Sequence, residues 1–261
     1  MSTTPKITIW LWPSGLFPRR ILYYLRAKSL TPSLLLSSSP PIHLIPVLSN
    51  PSTGNLAVSP AHEPRPLNTT LPCLRVQTPA KPDFFIYESN AILEYLEEIF
   101  STEKGYVDVR GSNPEQRARS RDIVSLLADA TLAYGLYLMN SDPSTLSWSG
   151  IAQSDWSAQT AAHARKRHSF LLSRLEEWVE EDVVGKRCLS LAGEGTNVTI
   201  ADFVLMACVV YNEENYGKDW VEDHGILRIW VERVKGEGWC VGKEELRRLE
   251  MEGFEGGYKM S

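Results

Sequence analysis

Proline is spread very unevenly along this chain. Residues 31–66 carry eight of the sixteen prolines, and beyond residue 112 only Pro114 and Pro143 remain. A proline has no amide hydrogen to donate and drives the residue before it toward extended geometry. The 31–66 stretch, which also holds Ser37-Ser38-Ser39, therefore cannot form long helices, whereas the second half is free to be helical. Between the two regimes lies a polar segment, Ser101 to Ser112, bracketed by Gly105 and Gly111. The domain boundary is placed there, giving one domain over 1–103 and a second over 112–261. A chain of 261 residues has enough length for two small cores.

Hydropathy patterning fills in both halves. Lys6 to Trp12 reads as a strand, followed by a helix with Pro18 in its first turn and Ile21, Leu22 and Leu25 on one face. Ile42 to Leu48 reads as a second strand. Leu71–Gln77 and Asp83–Tyr87, joined by a link containing Pro79 and Pro82, read as a hairpin. Ile92, Leu93, Leu96, Ile99 and Phe100 then share a helical face. The predicted order is β-α-β, an irregular segment, then β-β-α. In the second half, Ile123 to Tyr137 and Leu171 to Val179 mark amphipathic helices. Val198-Thr199-Ile200-Ala201-Asp202-Phe203 carries a capping box, Thr199 with Asp202, and a staple, Val198 with Phe203; the cap is worth about 1 kcal/mol.

Charge and cysteine usage exclude several functions. A formal charge of −5 argues against a nucleic-acid binder. The one basic run, His163 to His168, falls in a helical pattern and reads as a solvated face. Its two histidines stand about 140° apart on a helix, which disfavours a shared metal. Glu97-Glu98, Glu180-Glu181 and Glu213-Glu214 also read as solvated charge. No apolar stretch approaches the roughly 18 residues a bilayer needs, and Ile7 to Trp12 is too short for a signal-peptide core. Cys73, Cys188, Cys208 and Cys240 are scattered, which suits reduced thiols in a cytoplasmic protein. Neither a Walker loop nor a dinucleotide fingerprint is present.

Three segments, in this order, resemble the glutathione transferase family. The first is the strand and helix start Ile9-Trp10-Leu11-Trp12-Pro13-Ser14-Gly15-Leu16-Phe17-Pro18. The second, Thr70-Leu71-Pro72-Cys73, is similar to the family's cis-proline segment. The third, Tyr87-Glu88-Ser89-Asn90-Ala91-Ile92, is similar to its Glu/Gln-Ser turn entering a helix. The Thr199/Asp202 box matches one in the family's helical domain. The resemblance implies an α/β N-terminal thioredoxin-like domain plus an all-α C-terminal helical domain. It also implies glutathione as co-substrate or cofactor, a small-molecule electrophile as partner, and a homodimer. The departure in residues 31–66 makes the chain resemble divergent fungal secondary-metabolism members.

The resemblance gives these residues chemical roles. Glu88 can pair with the ammonium of glutathione. The Ser89 hydroxyl and the amides behind it can take the α-carboxylate, assisted by the helix dipole; alternatively Ser89 is simply a helix cap. A cis Leu71-Pro72 bond would present the Leu71 backbone to the cysteinyl unit like an added strand, and a trans bond at a strand start is the alternative. Thr70, Asn68, His43, His62 and Arg65 are candidates for the glycine carboxylate. Lowering a thiol pKa by two units takes about 2.7 kcal/mol, and one hydroxyl donor to an anion supplies roughly 1.5–3. Ser14 is the one hydroxyl between Ile9 and Arg20 and is the candidate thiolate stabiliser; otherwise it only completes a turn, with the Leu16 and Phe17 amides facing the sulfur. Leu16, Phe17 and Tyr134, with Tyr137, are candidate walls for the electrophile, in a cleft expected between the domains. The expected reaction is conjugation, or reversible addition that isomerises a conjugated double bond. Two rivals stand beside it: a non-catalytic binding or scaffolding module, and a thiol-disulfide reductase using Cys73.

Overall fold

Alternation in Lys6-Ile7-Thr8-Ile9-Trp10-Leu11 builds the strand around which the first unit is organised. In the computed structural model, which describes residues 4–49 and 55–254, β1 (Lys6–Leu11) sends successive side chains to opposite faces of a sheet. Both faces are covered, since Ile7, Thr8, Ile9, Trp10 and Leu11 are all solvent-inaccessible. The chain continues through α1 (Leu16–Ala27), α2 (Pro32–Ser37), β2 (Ile42–Ser49), β3 (Leu56–Val58), β4 (Cys73–Gln77), β5 (Phe84–Ile86) and α3 (Ser89–Ile99). The described strands lie in the order β3-β2-β1-β4-β5. β2 runs parallel to β1, as a crossover through α1 requires, and every other pairing is antiparallel.

Register decides what meets at each end of this sheet. Trp10 near the end of β1 lies opposite Cys73 at the start of β4, and Leu74 lies opposite Ile86 at the end of β5. The loops after β1, before β4 and after β5 therefore leave from one end.

The proline-rich segment is less irregular than its composition suggests. Thr31 caps α2, accepting from the Leu34 amide at 3.2 Å, with Pro32 in the first turn where no donor is needed. Leu56-Ala57-Val58 adds an edge strand opposite Val47 to Ser49; three residues are too few for an alternation to be read. The following loop covers a face of the sheet. Glu63 accepts from Trp10 Nε1 through its carbonyl at 3.1 Å and pairs with Arg75 through its carboxylate at 2.6 Å.

The second unit holds α4 (Pro114–Met139), α5 (Leu146–Ser149), α6 (Ala158–Glu180), α7 (Ile200–Tyr216) and α8 (Gly225–Val234). α4 packs on α6 and α7. Contrary to the reading above, α4 is long and apolar enough to cross a membrane by length and composition. Its Ile123, Leu126, Leu127 and Ala130 are nonetheless buried within the unit, with Asp122 and Asp129 exposed, the pattern of a packed helix with a wet side. The capping box is formed: Thr199 N donates to Asp202 Oδ2 at 2.6 Å, while Ser190 Oγ and Leu191 N also donate to that carboxylate, at 2.7 and 2.8 Å. Burial pushes the Asp202 carboxyl up to about 6 in spite of these donors.

Three expectations change. The chain divides at Asp108/Val109, inside the expected linker, but residues 237–254 belong to the first unit and not to the helical one. There α9 (Lys243–Glu252) buries Leu246 and Leu249, and Trp239 and Phe254 are buried beside it. Secondly, Glu97 is not solvated: it is inaccessible and paired with an equally buried Lys28 at 2.6 Å, tying α1 to α3. Thirdly, His168 of the basic run is fully buried. Burial, with Arg165 beside it, holds its imidazole down at about 3.

Candidate active site

Residues Trp12-Pro13-Ser14-Gly15 form the turn that leaves β1, closed by Gly15 N donating to Trp12 O at 2.9 Å. Pro13 in the second position presets its φ for such a turn. A Cβ on Gly15 would stand 2.8 Å from Trp12 Cε3 and 3.1 Å from Trp12 O, so a side chain there would force the turn open. The three polar groups of Ser14 have different fates. Its amide donates to Glu250 Oε1 at 2.9 Å. Its carbonyl accepts from Arg19 Nη2 at 3.2 Å. Its hydroxyl makes no hydrogen bond among the described residues. The turn therefore exists, and the hydroxyl is not spent on it.

Gly15 caps α1 without a side chain, so the Leu16 and Phe17 amides at this helix start make no hydrogen bond among the described residues. Leu16 is half-buried and Phe17 exposed, with the Arg20 guanidinium 4.8 Å from the Phe17 ring centroid. These groups can face an anion at the end of β1, with apolar surface beside it.

At the neighbouring loop, Glu88 is the exposed cap residue of α3 and caps no amide with its side chain. Ser89 is buried in the first turn and is not the cap. Its hydroxyl accepts instead from Arg20 Nη1 at 3.4 Å, and Asn90 Oδ1 lies 3.5 Å from the same nitrogen. The Ser89, Asn90 and Ala91 amides make no hydrogen bond among the described residues. A buried guanidinium on α1 thus holds the hydroxyl at the mouth of α3, favouring an anion there. Sequence reading missed Arg20, whose only local signal is its place in an apolar helix.

Leu71-Pro72 is cis. Neither the amide nor the carbonyl of Leu71 is hydrogen-bonded among the described residues, and Thr70 before it is exposed. By register this backbone leaves from the same end of the sheet as Ser14 and Glu88-Ser89. Asn68 adopts φ 56° in the approaching loop. His43 and His62 go elsewhere: with Lys6 and Thr8 they line a cavity of about 200 Å³ beside the opening residues of β1 and β2.

Two residues are placed away from this chemistry. Tyr134 is 3% exposed inside the second unit, its ring centroid 4.6 Å from that of His168 and 6.1 Å from that of Trp220. It is a core aromatic with almost no surface to offer a ligand, which corrects its reading as a wall. Cys73 is inaccessible among Trp10, Ile45 and Val47, and desolvation pushes its thiol up although Arg65 and Arg75 act the other way. A thiol both raised and buried is a poor nucleophile, which removes the basis of the reductase reading.

No family model matches the sequence, and no curated protein does. Solved structures do match. A glutathione transferase from Methylobacterium radiotolerans in complex with glutathione sulfonate is 18% identical, with a TM-score of 0.56 over 90% of this chain and 92% of that one. A glutathione transferase from Populus trichocarpa is 14% identical, with a TM-score of 0.59 over 95% of this chain and 100% of its own. Another from Methylobacillus flagellatus, with glutathione bound, is 12% identical at a TM-score of 0.59, covering 90% and 96%. At such identities the likeness is one of fold. This chain has the glutathione transferase fold, a thioredoxin-like α/β unit with an all-helical one.

Proposed function

We propose that the chain is a glutathione transferase that adds the glutathione thiolate to an electrophilic small molecule. One observation carries the reading. The Ser14 hydroxyl and the Leu71 backbone, unbonded among the described residues, and the α3 start at Glu88-Ser89 leave the sheet at the same end, set there by the β1-β4-β5 register. In this reading Glu88 pairs with the ammonium of the tripeptide. Ser89 and the amides behind it take the α-carboxylate, and Leu71, with Thr70 before the cis Pro72, pairs with the cysteinyl backbone. Ser14 donates to the sulfur. A hydroxyl bond to an anion is worth roughly 1.5–3 kcal/mol, of the order needed to bring a thiol pKa near 8.5 into the neutral range. Leu16 and Phe17 provide apolar surface for the electrophile.

Conjugation and reversible addition with isomerisation share the thiolate attack, and both belong to this proposal. So does a pathway-specific metabolite as substrate, supported by the unusual 31–66 segment. A cytoplasmic homodimer is proposed by resemblance, with Leu132 and Leu136 on α4 offering exposed apolar surface. Calorimetry with millimolar glutathione, followed by turnover of an aryl halide and an enone, tests the reading; absence of binding heat ends it. The second reading, a binding module without catalysis, is favoured by the Glu250 carboxylate on the Ser14 amide. Binding without turnover of either electrophile would select it.

A further inference from the structure

The Ser14 amide sits where the proposed function brings the glutathione sulfur, and the chain already supplies it with an anion. Glu250 Oε1 accepts from this amide at 2.9 Å, across 236 residues of sequence. The carboxylate arrives on a helix fixed from several sides. Leu246 and Leu249 of α9 are fully buried, and Phe254 just beyond it is 3% exposed. Trp239 meets Tyr23 edge-on at 5.4 Å. Arg26 on α1 donates to the Gly238 carbonyl at 3.2 Å and pairs with Glu245. Burying one large apolar side chain contributes about 1.5–3 kcal/mol, so lifting this helix would sacrifice several such contributions at once. The side chain of Glu250 can rotate, but its helix is anchored.

Two anions do not share one donor readily. Unit charges 4 Å apart repel by about 4 kcal/mol at an effective dielectric of 20, more than the roughly 1.5–3 kcal/mol a hydroxyl donor returns. Arg19, fully buried and bonded to the Ser14 carbonyl, offsets part of this. We propose that Glu250 controls the charge state at the sulfur position. Its carboxylate occupies the amide of Ser14, so an anionic sulfur is accepted only when that carboxylate swings away. The inference rests on the proposed function. A neutral thiol fits beside the carboxylate and can donate its hydrogen to it. Glu250 acts here as a positioning residue for charge at the Ser14 turn.

The test titrates the native protein and Glu250→Gln with two probes, S-methylglutathione, whose sulfur is neutral, and glutathione sulfonate, whose sulfur carries a fixed negative charge. Glutamine keeps an oxygen for the Ser14 amide, and an unchanged thermal midpoint verifies that the turn survives. The expected result is a gain of about tenfold in sulfonate affinity, equivalent to about 1.4 kcal/mol, with S-methylglutathione affinity unchanged within about twofold. Equal changes for both probes, or no gain for the sulfonate, overturn the inference while leaving glutathione binding intact. Failure of both probes to bind either protein overturns the proposed function and the inference with it. Glu245→Gln, on the same helix, should leave the ratio of the two affinities unchanged; a shift matching that of Glu250→Gln would mean that loosening α9, not charge, is responsible, and would also overturn the inference.

Discussion

Ser14 shows what a sequence can and cannot say about one residue. Its candidacy came from being the one hydroxyl in a short loop, and the structure leaves that hydroxyl unbonded among the described residues. The same residue's amide is bonded to a group 236 positions away, which no local spacing encodes. Arg20 reaches Ser89 across 69 residues for the same reason. The placement of Glu88, Ser89 and Leu71 was legible because it depends on local geometry, a helix start and a bend before a strand. Tyr134 was misplaced because an aromatic on a helix face looks alike whether it lines a core or a cleft. Two outcomes follow at this scale. Ser14→Ala should lower turnover by about 10–100-fold, the loss of one hydroxyl donor to an anion, with glutathione affinity nearly unchanged; steady-state kinetics beside calorimetry separates the two. Ser89→Ala should weaken glutathione binding by about tenfold, a lost hydrogen bond to a carboxylate, with kcat retained at saturation.

Elements were legible where periodicity runs long. β1, α1, α3 and the capped α7 lie where the pattern put them. β3 was invisible at three residues, and the inward turn of Glu97 and His168 was hidden inside charged runs. Adjacent helix positions differ by about 100°, so one member of an acidic pair can point to the core while its neighbour is solvated. Lys28→Met should strand the Glu97 carboxylate, whose proton affinity burial already raises, and destabilise the first unit by about 3–5 kcal/mol. Adding Glu97→Leu should restore much of this, as read by denaturant titration. For His168 the folded value, near 3, lies below the unfolded 6.5. The unfolded chain therefore binds the extra proton between those values. The neutral-histidine contribution is present above pH 6.5 and is lost as pH falls toward 3, by about 5 kcal/mol. His168→Gln should flatten that part of the acid-unfolding profile relative to the native protein; Asp202, common to both, cancels in the comparison.

At the level of the whole molecule, the shift in proline content located the division of the chain to within its linker. What composition could not show is that the final segment returns to the first unit, because α9, although more polar than α4, α6, α7 and α8, reads as one more helix in a helical half and only its packing places it. Truncation after Gly236 should remove Trp239, Leu246, Leu249 and Phe254 from that packing. Hydrogen exchange should then show α1 and β2 losing protection while α4, α6 and α7 keep theirs.

This return also bears on biosynthesis. Domains usually fold in the order in which they leave the ribosome. Here the helical unit, residues 109–236, has emerged in full while the α/β unit still lacks α9. The α1 surface awaiting Trp239 stays uncovered through translation of more than a hundred codons. Chaperones that shield nascent apolar surface would find their substrate there, on a unit begun before its helical neighbour and completed after it.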